Sequence, residues 1–512
     1  MKLTLRHLLI IGLLLAIPPL AAVERVDLPW QPFTPALLAR AKAENKPVFL
    51  YLEAVWCHWC HVMQRETFPD AGVQQRLQSQ WLIASVDHDA DPLLANRYRE
   101  YGWPALIFFN AQGQEVTKRA GFLSAADFNA LLDAVLADPT PEQSARDEQA
   151  VAPPITSLPD ALRSALEANH RKAYDTRRGS LKLAQKYLDR DSVEYALTLA
   201  ANGHRSEAQR ARQTLDAARA LIDPVWGGMY QYSTHGDWAH PHFEKIMRTQ
   251  AGALRLYAQS YAQTRDARDL RSANAIRDYL LKHLRDAETG AFQGTQDADV
   301  VPGEKAAAYF ALGDRARRRI GVPRIDPNLY AQENGLAIEA LVAHYRATAD
   351  ADTLCAADRA ARWAVEHRAL ADGRFRHGAA DDGGRFLGDT LHMARAALAL
   401  HGAVRAPEWL ALAEAAAGAM ATHFAAAGGG YLTAVAAGAA VPPPRVAEEN
   451  IVLARFYAAL TRVTGKTEYL ADGRHALRWL ALPDVAEATL TEPGILLAAD
   501  ELATAEQDLM RR

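Results

Sequence analysis

The spacing of apolar positions along the chain changes character once, and the change divides the sequence in two. "KPVFLYLEA" (46–54) is a short apolar run opened by Pro47 and predicts a buried strand. "HVMQRETF" and "AGVQQRLQ" then have helical composition, "WLIASVDHD" (81–89) predicts a second strand, and "YGWPALIFFNAQGQEVTKRAGFL" (101–123) reads as strand, Gln-Gly turn and strand. A helix follows, with Ser124 as N-cap and Asp127 at N3, a variant of the capping box. Its apolar residues Phe128, Leu131, Leu132, Val135 and Leu136 keep the helical period. From Asp138 to Pro159 the chain turns polar and proline-rich, as a linker does. Beyond it the spacing is helical almost everywhere, for example Ile338, Leu341, Val342 and Tyr345, or Leu453, Phe456, Tyr457 and Leu460.

The helical part is punctuated by a glycine-plus-aromatic element: "GGMYQYS" at 227, "GAFQGTQ" at 290, "DGRFRHG" at 372, "GGGYLTA" at 428, and a weaker "RRGSLKL" at 177. Recurrence at intervals of about 50 to 80 residues suits one helical hairpin, or slightly more, per element. Paired helices with such loops on one rim predict an (α/α)6 toroid whose wide end is a funnel.

Residues 1–22, "MKLTLRHLLIIGLLLAIPPLAA", carry Lys2 and Arg6 before an apolar core, then Pro18, Pro19 and the small pair Ala21-Ala22. The core is shorter than the ~20 residues a bilayer span needs, so a secretory leader is expected over an uncleaved anchor. Export follows, to the periplasm in a bacterium, with membrane contact only in transit. The expected organisation is thus a leader (1–22), an α/β domain (23–138), a linker (139–159) and an all-α toroid (160–512). A net charge of -4 with 23% charged residues offers no basic footprint for nucleic acid.

Three cysteines in 512 residues do not make a disulfide-stapled scaffold. Two stand in "EAVWCHWCHVM" (53–63), which can be read as a W-C-x-x-C dithiol or as C-x-x-C-H, a haem c attachment motif with His61 as iron ligand. Haem is disfavoured because the motif follows a strand. Zinc is disfavoured because Cys57, His58, Cys60 and His61 cluster too tightly to close a tetrahedron. Cys355, in an alanine-rich helical run, is expected to be a small core residue.

Strand, CxxC helix, strand, hairpin and final helix is the thioredoxin order. Cys57, at a helix N-terminus where unpaired N–H groups lower a thiol's pKa, is expected to be exposed and to attack; Cys60 resolves. The cofactor is then the redox-active Cys57–Cys60 disulfide alone. His58 and His61 would add positive charge and make the pair more oxidising. Pro104, before the "ALIFF" strand, stands where thioredoxin-like proteins place a cis-proline that faces the dithiol. The buried carboxylate of ordinary thioredoxins falls at Tyr51; Glu53, on the same strand face, either substitutes for it or is a strand-end residue.

Near the repeated loops lie Asp237, Trp238, His240, His242 and Glu244 in "GDWAHPHFEK", Asp297 and Asp299 in "TQDAD", Asp389 in "RFLGDT" and Glu449 in "AEEN". Carboxylates and imidazoles around an aromatic funnel suit acid/base work on a sugar; equally, such residues cap helices and fix turns.

"CHWCHVMQRETFPD", "WAHPHFEKIMRTQA", "GTQDAD" and "ENGLAI" resemble the corresponding elements of the spermatogenesis-associated thioredoxin-domain family. The resemblance implies a thioredoxin-like domain fused to a six-hairpin, glycosidase-like toroid. The chain departs from that pattern in Trp56, in "SLKLAQKYLDRDS" and in "QENG", which lacks the family's tryptophan. The expected activity is exported thiol–disulfide exchange with protein thiols, disulfides or a redox partner, the toroid binding or presenting the substrate. The alternatives are a carbohydrate-active isomerase, epimerase or hydrolase with an accessory thioredoxin domain, and a non-catalytic binding protein.

Overall fold

A computed structural model describes residues 28–142, 151–381 and 383–512. The expected leader lies outside the described residues. The first domain runs α1 (Pro35–Glu44), β1 (Val48–Glu53), α2 (His58–Glu66), α3 (Ala71–Gln80), β2 (Leu82–Asp87), α4 (Pro92–Arg97), β3 (Ala105–Phe109), β4 (Glu115–Ala120) and α5 (Ala125–Ala137). The sheet order is β2-β1-β3-β4, with β1 parallel to β2 and antiparallel to β3. Strand β1 is buried on both faces, which is why its sequence is continuously apolar. Phe49 and Tyr51 point to a core with Cys60, Met63, Phe108 and Phe128. Val48, Leu50 and Leu52 point to the opposite core, which includes Phe386, Ala434 and Val441 of the second domain. One face of the thioredoxin-like sheet is therefore completed by the toroid.

Ser124 caps α5 as expected: its Oγ accepts from Asp127 N at 3.2 Å and donates to the Asp127 carboxylate at 2.6 Å. The sequence reading did not anticipate α4, which is capped by Asp91 and turns the chain toward the second domain.

The second domain opens with α6 (Asp160–Ala173), and six inner helices line its axis: α7 (Arg190–Ala201), α9 (Met247–Thr264), α13 (Ala331–Thr348), α15 (Leu387–Val404), α17 (Ala447–Thr464) and α20 (Pro493–Arg511). Each packs on the next, and α20 returns to α7, so the circle is closed. Outside them lie α8 (Arg205–Ala218), α10 (Ala267–Tyr279), α14 (Ala351–Arg368), α16 (Pro407–His423) and α18 (Thr467–Leu480), while α6 packs on α20. Short pieces β5 (Tyr232–Ser233), β6 (Pro241–His242), β7 (Lys245–Ile246), β8 (Thr295–Gln296), α11 (Ala307–Phe310), α12 (Asp314–Ile320) and α19 (Pro483–Ala486) complete the loops. This is the (α/α)6 toroid.

The glycine-aromatic repeats have a common structural meaning. Each closes a small loop by a bridge: Tyr174 with Leu181, Ile222 with Met229, Arg285 with Phe292, Ala369 with Phe375 and Ala425 with Tyr431. Gly227, in one of them, has φ +72°, and an added Cβ would run into the Ala275 carbonyl. The fourth residue of the following inner helix then accepts from the loop backbone. Gln250 takes Met229 N at 2.7 Å, Asn334 takes Phe292 N at 2.8 Å, Thr390 takes Phe375 N at 3.1 Å and Asn450 takes Tyr431 N at 2.7 Å.

About one and a half turns deeper, charges from all six inner helices interlock. Arg255, Glu339, Arg395, Arg455 and Glu501 are each the ninth residue of their helix. Glu194 joins Arg455 (2.6 Å) to Arg255 (3.5 Å), and Glu339 joins Arg255 (3.6 Å) to Arg395 (3.0 Å). Glu501 takes Arg455 at 2.8 Å. These residues are mostly buried, so each acid needs its arginine; the network sets the register of neighbouring helices.

Candidate functional site at the domain junction

The dithiol sits where the two domains meet. Cys57 is the N-cap of α2: its Sγ accepts from Cys60 N at 3.1 Å, and the two cysteines are joined as a disulfide with Cα atoms 5.3 Å apart. The Trp103–Pro104 peptide is cis, the isomer expected from the thioredoxin resemblance. Tyr51, in the carboxylate's place, donates to the Cys60 carbonyl at 3.1 Å. Glu53 accepts from Gln64 of α2 and from Ser85 Oγ of β2 at 2.9 Å, linking the two elements beside the motif.

The expected exposure of Cys57 is not observed. Cys57 is 4% exposed and Cys60 fully buried, whereas Trp59 between them is 42% exposed. Cys57 packs into the core of its own domain, against which Ile246 of the toroid also packs, and the toroid closes on this end of α2. His58 Nδ1 meets both Asp299 oxygens at 2.9 Å, and His61 Nδ1 meets Asp299 Oδ2 at 3.2 Å. Asp299 is further held by Gly303 N at 2.8 Å. The opposite imidazole nitrogen of His61 lies 3.7 Å from Asp297 Oδ2. Burial opposes charge on His61, but Asp299 and Asp297 outweigh it and hold the imidazole above its ordinary pKa. Burial likewise opposes ionisation of Asp299, and His58 and His61 overcome it, so this carboxyl lies below the usual range. Burial pushes Asp297 up to about 7 and Glu244 up to about 8. His242 stacks on Tyr232 at 4.4 Å and lies 4.0 Å from Glu244; burial, then the His58 charge, lowers its pKa.

A second contact centres on Asp89, just beyond β2. Its carboxylate accepts from Trp56 Nε1 at 3.0 Å and from Thr295 Oγ1 of the toroid at 3.2 Å, and its carbonyl meets His377 Nε2 at 2.6 Å. The other ring nitrogen of His377 is 3.0 Å from Asp389, and its ring stacks on Tyr330 at 4.2 Å. A third contact joins α4 to α17: Asn96 donates to Thr433 Oγ1 at 2.7 Å and to Glu449 at 3.2 Å, and Arg99 pairs with Glu448 at 2.8 Å. Glu448 also takes Arg190 at 3.2 Å and Arg248 at 2.7 Å.

The sequence candidates divide accordingly. His58, His61, His242, Glu244, Asp297 and Asp299 come together beneath the dithiol. Asp389 caps the start of α13 through Gln332 N at 2.9 Å and orients His377. Glu449 faces the docked domain, with one buried carboxylate oxygen lacking a hydrogen-bond partner. Asp237, Trp238 and His240 do not join: Asp237 and His240 pair with each other at 2.9 Å at the surface, and Trp238 donates to the Arg178 carbonyl at 2.8 Å. Cys355 is exposed, not a core residue, because it falls on the outer face of an outer helix.

Sequence reasoning missed Asp89, His377 and Glu333. Glu333 is the third residue of α13, as Asp389 is of α15 and Glu449 of α17. Burial pushes Glu333 up to about 7, and one of its buried oxygens lacks a partner. The shared "EN" of Glu333-Asn334 and Glu449-Asn450 was the available signal.

Fold and site together define a thioredoxin-like domain carrying an oxidised C-x-x-C and docked on a six-hairpin toroid. Residues 18–136 match the family model described as Thioredox_DsbH, "Protein of unknown function, DUF255". The resemblance to the spermatogenesis-associated thioredoxin-domain family holds: human spermatogenesis-associated protein 20 is 26% identical over 366 residues, spanning 62% of this chain and 45% of that protein. The chain thus spans less than half the length of that relative. Within 99 residues it is 37% identical to the thiol:disulfide interchange protein DsbD of Klebsiella pneumoniae, covering 18% of this chain and 17% of the other. The crystal structure of D-mannose isomerase superposes with a TM-score of 0.50 at 13% identity, over 68% of this chain and all (100%) of that one. That likeness establishes the fold of the toroid.

Proposed function

We propose that this protein is an exported thiol–disulfide oxidoreductase, periplasmic if bacterial, whose toroid binds or presents the substrate of the Cys57–Cys60 pair. The observation that carries the reading is the disulfide at the N-terminus of α2, with Cys57 as N-cap and Pro104 in the cis form. A thiolate at Cys57 is stabilised by the N–H groups of the first turn, including that of Cys60. Exchange proceeds by attack of this thiolate on a partner disulfide sulfur. The partner's other sulfur leaves as thiolate, and Cys60 then attacks Cys57 to release the reduced partner and re-form the internal disulfide. In the reverse direction a partner thiolate opens the internal disulfide. Because Cys57 is buried and the histidines on α2 are held by the toroid, exchange with a protein requires that clasp to part. The leader-like residues 1–22 support export.

Trapping partners on a Cys60→Ser variant tests this. A mixed disulfide on Cys57 is expected, absent from Cys57→Ser; a wild type that neither reduces nor oxidises a model dithiol ends the reading.

The burial of Cys57 and the partnerless oxygens of Glu333 and Glu449 favour a second reading, in which the toroid acts on a carbohydrate and the thioredoxin-like domain is accessory. It predicts turnover on a sugar panel that survives Cys57→Ser and is lost in Glu333→Gln.

A further inference from the structure

Beneath the disulfide, carboxylates and imidazole converge in a way that thiol chemistry does not use. Strands β7 and β8 pair antiparallel, Lys245 opposite Gln296 and Ile246 opposite Thr295. Continuing that register by one residue sets Glu244 against Asp297, and Asp299 follows two residues on. The β7–β8 ladder of the toroid thus gathers three carboxylates in one region, and α2 of the other domain brings His61 to Asp297 and Asp299. Glu244, Asp297 and Asp299 are 4%, 3% and 2% exposed. One donor atom each from His61, Asp297 and Asp299 lies within 4.8 Å of the other two. Ligand atoms about 2.1 Å from a shared ion stand roughly 3 to 4.3 Å apart, a spacing these donors reach by a small inward shift. Asp299 Oδ2 lies 3.2 Å from His61 Nδ1 and Asp297 Oδ2 lies 3.7 Å from Nε2, so an ion takes one ring nitrogen while the other keeps a carboxylate as its partner.

An independent observation points the same way. Glu244 Oε2 is buried with no hydrogen-bond partner, 4.0 Å from His242 Nδ1, and its carboxyl feels the charges of Asp297, Asp299 and His61. A buried carboxylate oxygen left unsatisfied beside two more carboxylates is costly unless a cation fills the gap. His58, 2.9 Å from Asp299, is placed to orient that ligand from outside.

We propose that His61, Asp297 and Asp299 form a binding site for one divalent cation of the Zn2+ or Mn2+ type, closed between the two domains, with Glu244 beside it as a further buried carboxylate. One imidazole among carboxylates selects a first-row transition ion over Mg2+ or Ca2+, which prefer all-oxygen shells. Binding ties α2 to the β7–β8 ladder of the toroid. It is independent of the redox reading, since no sulfur takes part.

The test uses the full chain in its oxidised form on a Cys355→Ser background, so that no free thiol competes. After chelation and desalting, ZnCl2 or MnCl2 is titrated in, with metal content and thermal unfolding as readouts. About one equivalent and a metal-dependent rise in Tm are expected. Asp297→Asn weakens binding by about 100-fold or more, and Glu244→Gln and His58→Asn by about 10-fold each. Asp237→Asn, at the surface, leaves it unchanged. Failure of the wild type to retain either ion stoichiometrically overturns the proposal. So does a correctly folded Asp297→Asn variant that binds as tightly as wild type. Neither result bears on disulfide exchange, which the Cys60→Ser trap reads separately.

Discussion

His58 Nδ1 lies 2.9 Å from the Asp299 carboxylate, across 241 residues of sequence, and this pair holds the dithiol helix against the toroid. Asp299 is 1% exposed at its side chain and takes His61 as well, so one buried acid secures both histidines of the motif. Charge-assisted hydrogen bonds of this kind contribute about 1.5–3 kcal/mol each.

Asp299→Asn keeps the shape and removes the charge. We expect the Cys57–Cys60 disulfide to become about tenfold more accessible to a small phosphine reductant, a change of about 1.4 kcal/mol in the opening equilibrium. The rate of thiol release under native conditions measures this. An unchanged rate means the clasp does not gate the disulfide.

His377 gives the domain contact a pH dependence. Burial opposes its charge, but Asp389 outweighs this and raises it to about 9, with Glu333 and the Asp89 carbonyl adding to the effect. Because the folded pKa is raised above the ordinary 6.5, the stabilisation is fully present below about pH 6.5. It is lost as pH rises through about 9 and amounts to at most about 3 kcal/mol. Urea midpoints should therefore fall between pH 7 and pH 10. His377→Gln should be less stable at pH 7 and flatter across that range.

Asp223 sits between two buried cations, Lys245 at 2.9 Å and Arg317 at 2.7 Å, all three side chains fully buried. Asp223→Asn leaves the cations facing each other without a counter-charge. A loss of about 3–5 kcal/mol of unfolding free energy is expected, measurable by urea titration. A loss under 1 kcal/mol would mean that water reaches the cluster.

Asn334 joins a repeat loop to its inner helix through Phe292 N at 2.8 Å, Phe292 O at 3.0 Å and Tyr330 O at 2.8 Å. Asn334→Ala strands buried backbone groups, at about 2–3 kcal/mol. The equivalent Asn450→Ala should cost a similar amount, and hydrogen exchange at Phe292 and Tyr431 should report each loop separately.

Much of this was legible along the chain because its causes are local. The continuous apolar run of β1, the Ser124 cap and the glycine-aromatic loops each express a backbone requirement met within a few residues. So does Cys57 at the head of a helix. The thioredoxin order and the six-hairpin toroid follow from them. Local pattern could not show what faces the dithiol. Cys57 was expected to be exposed because an isolated thioredoxin-like domain has only solvent there. Asp237 and His240 looked equivalent to His242 and Glu244, since spacing does not reveal which end of a short loop turns inward. Asp89 carries no motif and His377 is one undistinguished residue of the "DGRFRHG" repeat, and they matter only because α4 and one sheet face settle on the toroid. The sequence by itself determined both folds and the C-x-x-C pair. The tertiary structure alone decided that the pair lies buried over Asp299, because burial and charge pairing between residues hundreds of positions apart arise only when the two domains close on each other.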